Sequence, residues 1–147
     1  MRAIDHIYID GAFVKPHGTE RLELINPSTE NPIGYVVLAD KEDALLAVAA
    51  AKRALPSFSQ TTKAERIAML KRLHAAVLAQ KDALRDATIE EYGGPVSRAT
   101  WVSQFAAQSF LDAITILEPY EFERTAGTST VVMEPVGVSL LDRKSVV

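Results

Sequence analysis

The stretch Asp40-Lys41-Glu42-Asp43-Ala44-Leu45-Leu46-Ala47-Val48-Ala49-Ala50-Ala51-Lys52-Arg53-Ala54-Leu55-Pro56 is where the chain changes from a strand pattern to a helical one. Asp40 is a good N-cap, because its carboxylate can accept from backbone N–H groups that the first helical turn leaves unpaired. Asp43, three residues on, puts negative charge where the helix dipole favours it. Leu45, Val48, Ala51 and Leu55 then recur at helical spacing. Pro56 has no N–H to donate and is expected to end the helix.

Upstream of this point the chain reads as strands. Ile7-Tyr8-Ile9 leads into Asp10-Gly11, a strong hairpin turn pair, and Phe13-Val14 follows. Pro16-His17-Gly18 interrupts the run. Leu22-Glu23-Leu24-Ile25 resumes an extended apolar pattern, and Asn26-Pro27-Ser28-Thr29 is turn chemistry, since Asn bonds its own backbone and Pro fixes φ. Ile33-Gly34-Tyr35-Val36-Val37-Leu38 is a further strand candidate.

Downstream, three more helices are expected. Thr62 and Glu65 form a capping box ahead of the apolar stripe Ile67, Leu70, Leu73, Val77 and Leu78. A third helix runs from about Asp82 to Tyr92 and stops at Gly93-Gly94-Pro95. Ser97 can cap a fourth, whose apolar positions are Val102, Phe105, Ala106, Phe110, Ala113 and Leu117, with Pro119 closing it. The pattern then returns to strands. Tyr120 and Phe122 alternate with Glu121 and Glu123, Ala126-Gly127 suggests a turn, Thr130-Val131-Val132-Met133 is extended, and Val136-Gly137-Val138 restarts a strand after Pro135. Strands, four helices and strands again make an α/β chain.

Composition narrows the function classes. The 147 residues are 48% hydrophobic and 24% charged, a globular balance, with a net charge of −3 and no basic block of the kind that nucleic acid or an anionic membrane selects. The longest apolar run, Ala44 to Ala51, is far short of a bilayer span, and residues 1–6 show no secretory pattern, so a cytoplasmic protein is expected. There is no cysteine, which removes disulfides, thiolate metal sites and a thiol nucleophile from this chain.

Residue chemistry by itself yields no catalytic, cofactor-binding or metal site. His6, His17 and His74 are the only histidines and none has a partner at metal-ligand spacing; His74 reads as a partly exposed helix residue. Gly127-Thr128-Ser129-Thr130 lacks the second glycine and the lysine of a phosphate loop and reads as a hairpin turn. Glu90 and Glu91 sit at a helix C-terminus, where the dipole disfavours them, and adjacent helical positions diverge by about 100°, so they read as solvated surface, or as serving a nearby backbone carbonyl. Trp101 and Phe105, four apart on a helix, read as core or interface packing.

Six segments, in this order, resemble the NAD(P)-dependent aldehyde dehydrogenase family. They are Tyr8-Ile9-Asp10-Gly11-Ala12-Phe13-Val14, Leu24-Ile25-Asn26-Pro27-Ser28-Thr29-Glu30, the run from Asp40 to Leu55, Arg66 to Ala79, Glu90-Glu91-Tyr92-Gly93-Gly94-Pro95, and Glu134-Pro135-Val136-Gly137-Val138. The resemblance implies that residues 1–138 are the incomplete N-terminal portion of a cofactor-binding domain. It also implies that Tyr120 to Met133 supplies strands pairing with another subunit of a homo-oligomer. The implied activity is oxidation of an aldehyde to a carboxylic acid with NAD or NADP, in which a cysteine thiolate attacks the aldehyde, hydride leaves for the nicotinamide, and a glutamate-activated water hydrolyses the thioester.

After Val138 the chain departs from the family. The family continues with Pro-Trp-Asn, whereas here Ser139-Leu140-Leu141-Asp142-Arg143-Lys144-Ser145-Val146-Val147 follows; the one tryptophan is Trp101, and the only asparagines are Asn26 and Asn31. Residues 139–147 therefore read as a divergent tail, from a truncation or a shifted frame. The chain alone is expected to be inactive and to bind no cofactor, and Val136 to Leu141 is expected to be a central strand deprived of neighbours. A non-catalytic assembly or scaffold module derived from the same family is the alternative.

Overall fold

The computed structural model describes residues 2–141. Its elements run β1 (Arg2–Ile4), β2 (Ile7–Ile9), β3 (Ala12–Val14), β4 (Arg21–Ile25), β5 (Pro32–Val37), α1 (Lys41–Ser59), α2 (Lys63–Ala79), α3 (Lys81–Tyr92), α4 (Val96–Leu117), β6 (Glu123–Ala126) and β7 (Ser129–Val132). The expected order of strands, four helices and strands is present, and the chain is α/β. Three strands form a sheet in the order β1-β5-β4, while β2-β3 and β6-β7 are two-stranded hairpins. The three-residue β1 has no counterpart among the expected strands; Arg2-Ala3-Ile4 is too short to show a period.

The described residues fall into two compact units. One contains residues 3–22, 35–60 and 134–141. Its hairpin pairs Ile7 with Val14, Tyr8 with Phe13 and Ile9 with Ala12. Asp10 (φ 55°) and Gly11 (φ 84°) both take the left-handed conformation that a two-residue hairpin of this twist requires. Helix α1 begins at Asp40, the expected N-cap, which accepts from the N–H groups of Glu42 and Asp43; beyond that expectation the Asp43 carboxylate accepts from Asp40 N–H and completes a capping box. It does not end at Pro56 but continues to Ser59. Pro56 stands in the last turn, so only one carbonyl, that of Lys52 four residues earlier, loses a helical partner. The Ser57 and Ser59 hydroxyls donate to the carbonyls of Ala54 and Pro56, covering acceptors around the break.

The other unit contains Arg2, residues 23–34 and residues 61–133. Helices α2 and α3 both pack on α4. The α4 residues they cover are Ala99, Ser103, Ala107 and Ile114, with Ala99 at 0% exposure. The expected stripe through Val102, Phe105 and Ala106 is thus displaced by one position, about 100° around the helix. Small side chains at 99, 103 and 107 let the helices approach closely, whereas Trp101 and Phe105 remain 55% and 50% exposed. On α2, His74 joins Ile67, Leu70 and Val77 on the half-buried side, and Leu73, expected there, is exposed.

Local signals place the helix ends well. Thr62 and Glu65 make the expected reciprocal box at α2. Helix α3 stops where Gly93 turns left-handed (φ 70°), and a Cβ there would lie 2.7 Å from Pro27 Cγ, so both backbone and space require glycine. Ser97 does not cap α4: the helix starts one residue earlier, at Val96, behind Pro95, and no side chain caps it. The β6-β7 hairpin runs from Glu123↔Val132 to Ala126↔Ser129, so Tyr120 and Phe122 precede the strand instead of opening it. Residues 133–141 have no regular structure, and the strand expected from Val136 is absent. Strand geometry exists only through pairing, and among the described residues no strand lies beside Val136, Leu140 or Leu141, which are exposed. The rest of the expected divergent tail, residues 142–147, lies outside the described residues.

Candidate functional site

The densest polar cluster gathers around the start of α1. Asp43 is only 4% exposed. Its Oδ1 accepts from His17 N–H at 2.9 Å, and its Oδ2 accepts from Gly18 N–H at 3.1 Å and from Asp40 N–H at 3.0 Å. The His17 ring reaches Asp40 Oδ2 through Nδ1 at 2.6 Å and Glu42 Oε2 through Nε2 at 3.3 Å. The His17 hydrogen bond to Asp40, reinforced by the Glu42 charge, raises the imidazole above its ordinary pKa. The same bond holds Asp40 below the ordinary carboxylate value, and Asp43 is held low first by the His17 N–H, then by those of Asp40 and Gly18. Both Asp43 oxygens are therefore committed to backbone N–H groups, which makes the cluster a structural knot and not a source of general base. The sequence shows Asp43 only as a charge at a helix start; its long-range partners at 17 and 18 leave no local trace.

The other residues singled out from the sequence are scattered. His6 pairs with its neighbour Asp5. His74 Nδ1–H donates to the carbonyl of Ala107 at 3.0 Å, a bond that ties α2 to α4. Glu90 and Glu91 are not merely solvated: both pair with Arg2, which supplies the positive charge that a helix C-terminus favours. Gly127 lies in the turn of the β6-β7 hairpin, as expected, and not in a phosphate loop. Trp101 and Phe105 stack with centroids 5.1 Å apart and planes at 11°, with the Arg98 guanidinium 6.0 Å from the indole. They border an open cleft of about 510 Å³ whose other walls include His74, Leu78 and Leu111.

Among the described residues no group of three His, Cys, Asp or Glu side chains could hold a metal ion. No helix there is long and apolar enough to cross a membrane. A dinucleotide pyrophosphate sits where a strand runs through a glycine-bearing turn into a helix N-terminus. Among the described residues only β5 runs directly into a helix, through Leu38-Ala39-Asp40, which has no glycine. The α1 N-terminus is already filled by the carboxylates of Asp40 and Asp43. The Asp40 carboxylate on the Glu42 and Asp43 N–H groups, with the Asp43 carboxylate beside it, repels a phosphate, so the α1 N-terminus does not fit a dinucleotide pyrophosphate.

The sequence model described as "Aldehyde dehydrogenase family" matches residues 13–141. A 3-succinoylsemialdehyde-pyridine dehydrogenase from a Pseudomonas species is 39% identical over 140 residues, which is 94% of this chain and 29% of that protein. The aldehyde dehydrogenase C from Pseudomonas syringae, solved with NAD+ and octanal, superposes with a TM-score of 0.80 at 28% identity over 86% of this chain and 26% of its own. The aldehyde dehydrogenase from Bartonella henselae shares the fold, with a TM-score of 0.82 at 21% identity over 88% of this chain and 28% of its own. The chain thus spans less than a third of the length of the curated relatives it matches. With the family model covering most of its length, the chain belongs to the aldehyde dehydrogenase family.

Proposed function

We propose that these residues serve as the N-terminal part of an NAD(P)-dependent aldehyde dehydrogenase, a cytoplasmic homo-oligomer that oxidises an aldehyde to its carboxylic acid. We further propose that the 147-residue chain alone performs no such oxidation. The observation that carries this reading is the pairing of a family match over residues 13–141 with a sequence that contains no cysteine. Covalent aldehyde oxidation of the kind the family resemblance implies begins with thiolate attack on the carbonyl carbon. The Thr62 hydroxyl, which lies beside the Glu65 carboxylate, is no substitute, because both groups are committed to the cap of α2. Three further carboxylates singled out above are also engaged: Asp43 by backbone N–H groups, Glu90 and Glu91 by Arg2. What the chain contributes is scaffold, namely three helices packed together and a set of short strands.

The test is spectrophotometric. The purified chain is mixed with short and medium-chain aldehydes and with NAD or NADP, and nicotinamide reduction is followed. No aldehyde-dependent reduction above the buffer rate is expected. The proposal fails if reduction occurs and scales with the concentration of the chain.

A further inference from the structure

We infer that His17 is a pH-responsive clasp that holds the loop between β3 and β4 to the N-terminus of α1. The argument starts from donor counting. Both ring nitrogens face carboxylate oxygens, Asp40 Oδ2 at Nδ1 and Glu42 Oε2 at Nε2. A neutral imidazole carries a single N–H, which the Asp40 hydrogen bond uses, so the Glu42 contact becomes an ion pair only when the ring is an imidazolium. The charges acting on the ring are Asp40, Glu42 and Asp43, all acidic and all on α1 or its cap. No cation opposes them in that set. Protonation thus draws the loop onto the helix start, and deprotonation leaves the ring able to satisfy one carboxylate at most.

The same loop is anchored a second way, by the N–H groups of His17 and Gly18 on Asp43. Those bonds depend on the Asp43 charge, so the two anchors titrate at opposite ends of the pH scale. A group whose pKa is raised on folding stabilises the fold below its ordinary value, and that contribution is lost as pH climbs through the raised one. For His17 the ordinary value is 6.5. Asp40 and Asp43 have lowered values, so their contribution is present above the ordinary 3.8 and is lost as pH falls through the lowered ones. The clasp is therefore fully closed between 3.8 and 6.5, and it loosens above that window while the Asp43 anchor remains.

Two measurements on the full chain test this. In the first, the carbon-bound ring protons of His17, assigned by their loss in His17→Gln, are titrated by NMR. The midpoint is expected above 6.5, and Glu42→Gln is expected to bring it down. In the second, amide exchange in residues 15–22, corrected for intrinsic rates, is compared at about pH 6 and about pH 8.5, on either side of the imidazole transition. Protection is expected to fall by up to roughly fivefold at the higher pH, the most that an exposed ion pair commonly gives, and to be independent of pH in His17→Gln. Because glutamine keeps a donor for Asp40 and His17 is exposed, that variant retains the loop without the titration. A His17 midpoint at or below the ordinary value, or a pH dependence that survives in His17→Gln, overturns the inference.

Discussion

At the scale of single residues, backbone conformation and close approach decide more than side-chain chemistry. Gly93 combines a φ of 70° with a Cβ position 2.7 Å from Pro27 Cγ. Gly93→Ala is expected to cost about 1–3 kcal/mol locally, the range for a non-glycine residue held in a sparsely populated region. The loss should read as faster amide exchange across the last turn of α3, where Gly93 and Gly94 N–H reach the carbonyls of Ile89 and Thr88. Unchanged protection would mean that the turn is not held by this geometry. The glycine is legible in the sequence as a helix stop, but its contact with a proline 66 positions earlier is not. Asp43 and His74 teach the same lesson. Each lies on the helix its sequence pattern predicts, and each is fastened to backbone far away in sequence, His17 and Gly18 in one case and Ala107 in the other.

At the scale of elements, caps and breakers behave as local chemistry dictates where the signal is a side chain bonding its own turn. Thr62 Oγ1 accepts from Glu65 N–H at 3.2 Å, and the Glu65 carboxylate accepts from Thr62 N–H at 2.7 Å. Thr62→Ala should weaken α2 by about 0.5–2 kcal/mol, the usual cost of removing such a cap, seen as a loss of far-UV helical signal on heating. The same box carries a pH signature. Glu65 is held below its ordinary value of 4.5, first by the Thr62 N–H and then by the Thr62 hydroxyl. A lowered carboxyl contributes stability above its ordinary pKa and loses it as pH falls through the lowered one. The first turn of α2 should therefore fray on acidification below 4.5, and Glu65→Gln should remove most of that dependence; a variant that frays as the parent does would refute the assignment. Where elements depart from expectation, the cause is tertiary or positional. Pro56 is tolerated because it costs one helical bond close to an end that is stopping anyway. The buried stripe of α4 is the one that faces α2 and α3, which both pack on it.

At the scale of the whole molecule, the apolar surface that stays open is the main feature. No large side chain among the described residues is fully buried, and the buried apolar set is Ala50, Ala99, Ala107 and Ile114. Trp101, Phe105, Val136, Leu140 and Leu141 are exposed together with several leucines of α1 and α2. Large apolar side chains left open to water favour association or the binding of hydrophobic ligands. The purified chain is expected to bind a hydrophobic dye and to associate with rising concentration while keeping its helical signal, and Trp101→Lys should reduce both effects. Sedimentation showing one monomeric species at every concentration, with no dye bound, would contradict this. The sequence by itself determined the helices, the N-cap at Asp40, the capping box at Thr62, the Asp10-Gly11 hairpin and the stop at Gly93, because each is written in residues within one turn of one another. It also determined that this chain carries no thiol. Only the tertiary structure decided which face of α4 is buried, that Arg2 answers Glu90 and Glu91, that Asp43 anchors a distant loop, and that Val136 to Leu141 forms no strand. The physical reason is common to all four: each turns on the presence or absence of a partner many residues away, and a pairing of that kind has no local period, cap or turn to announce it.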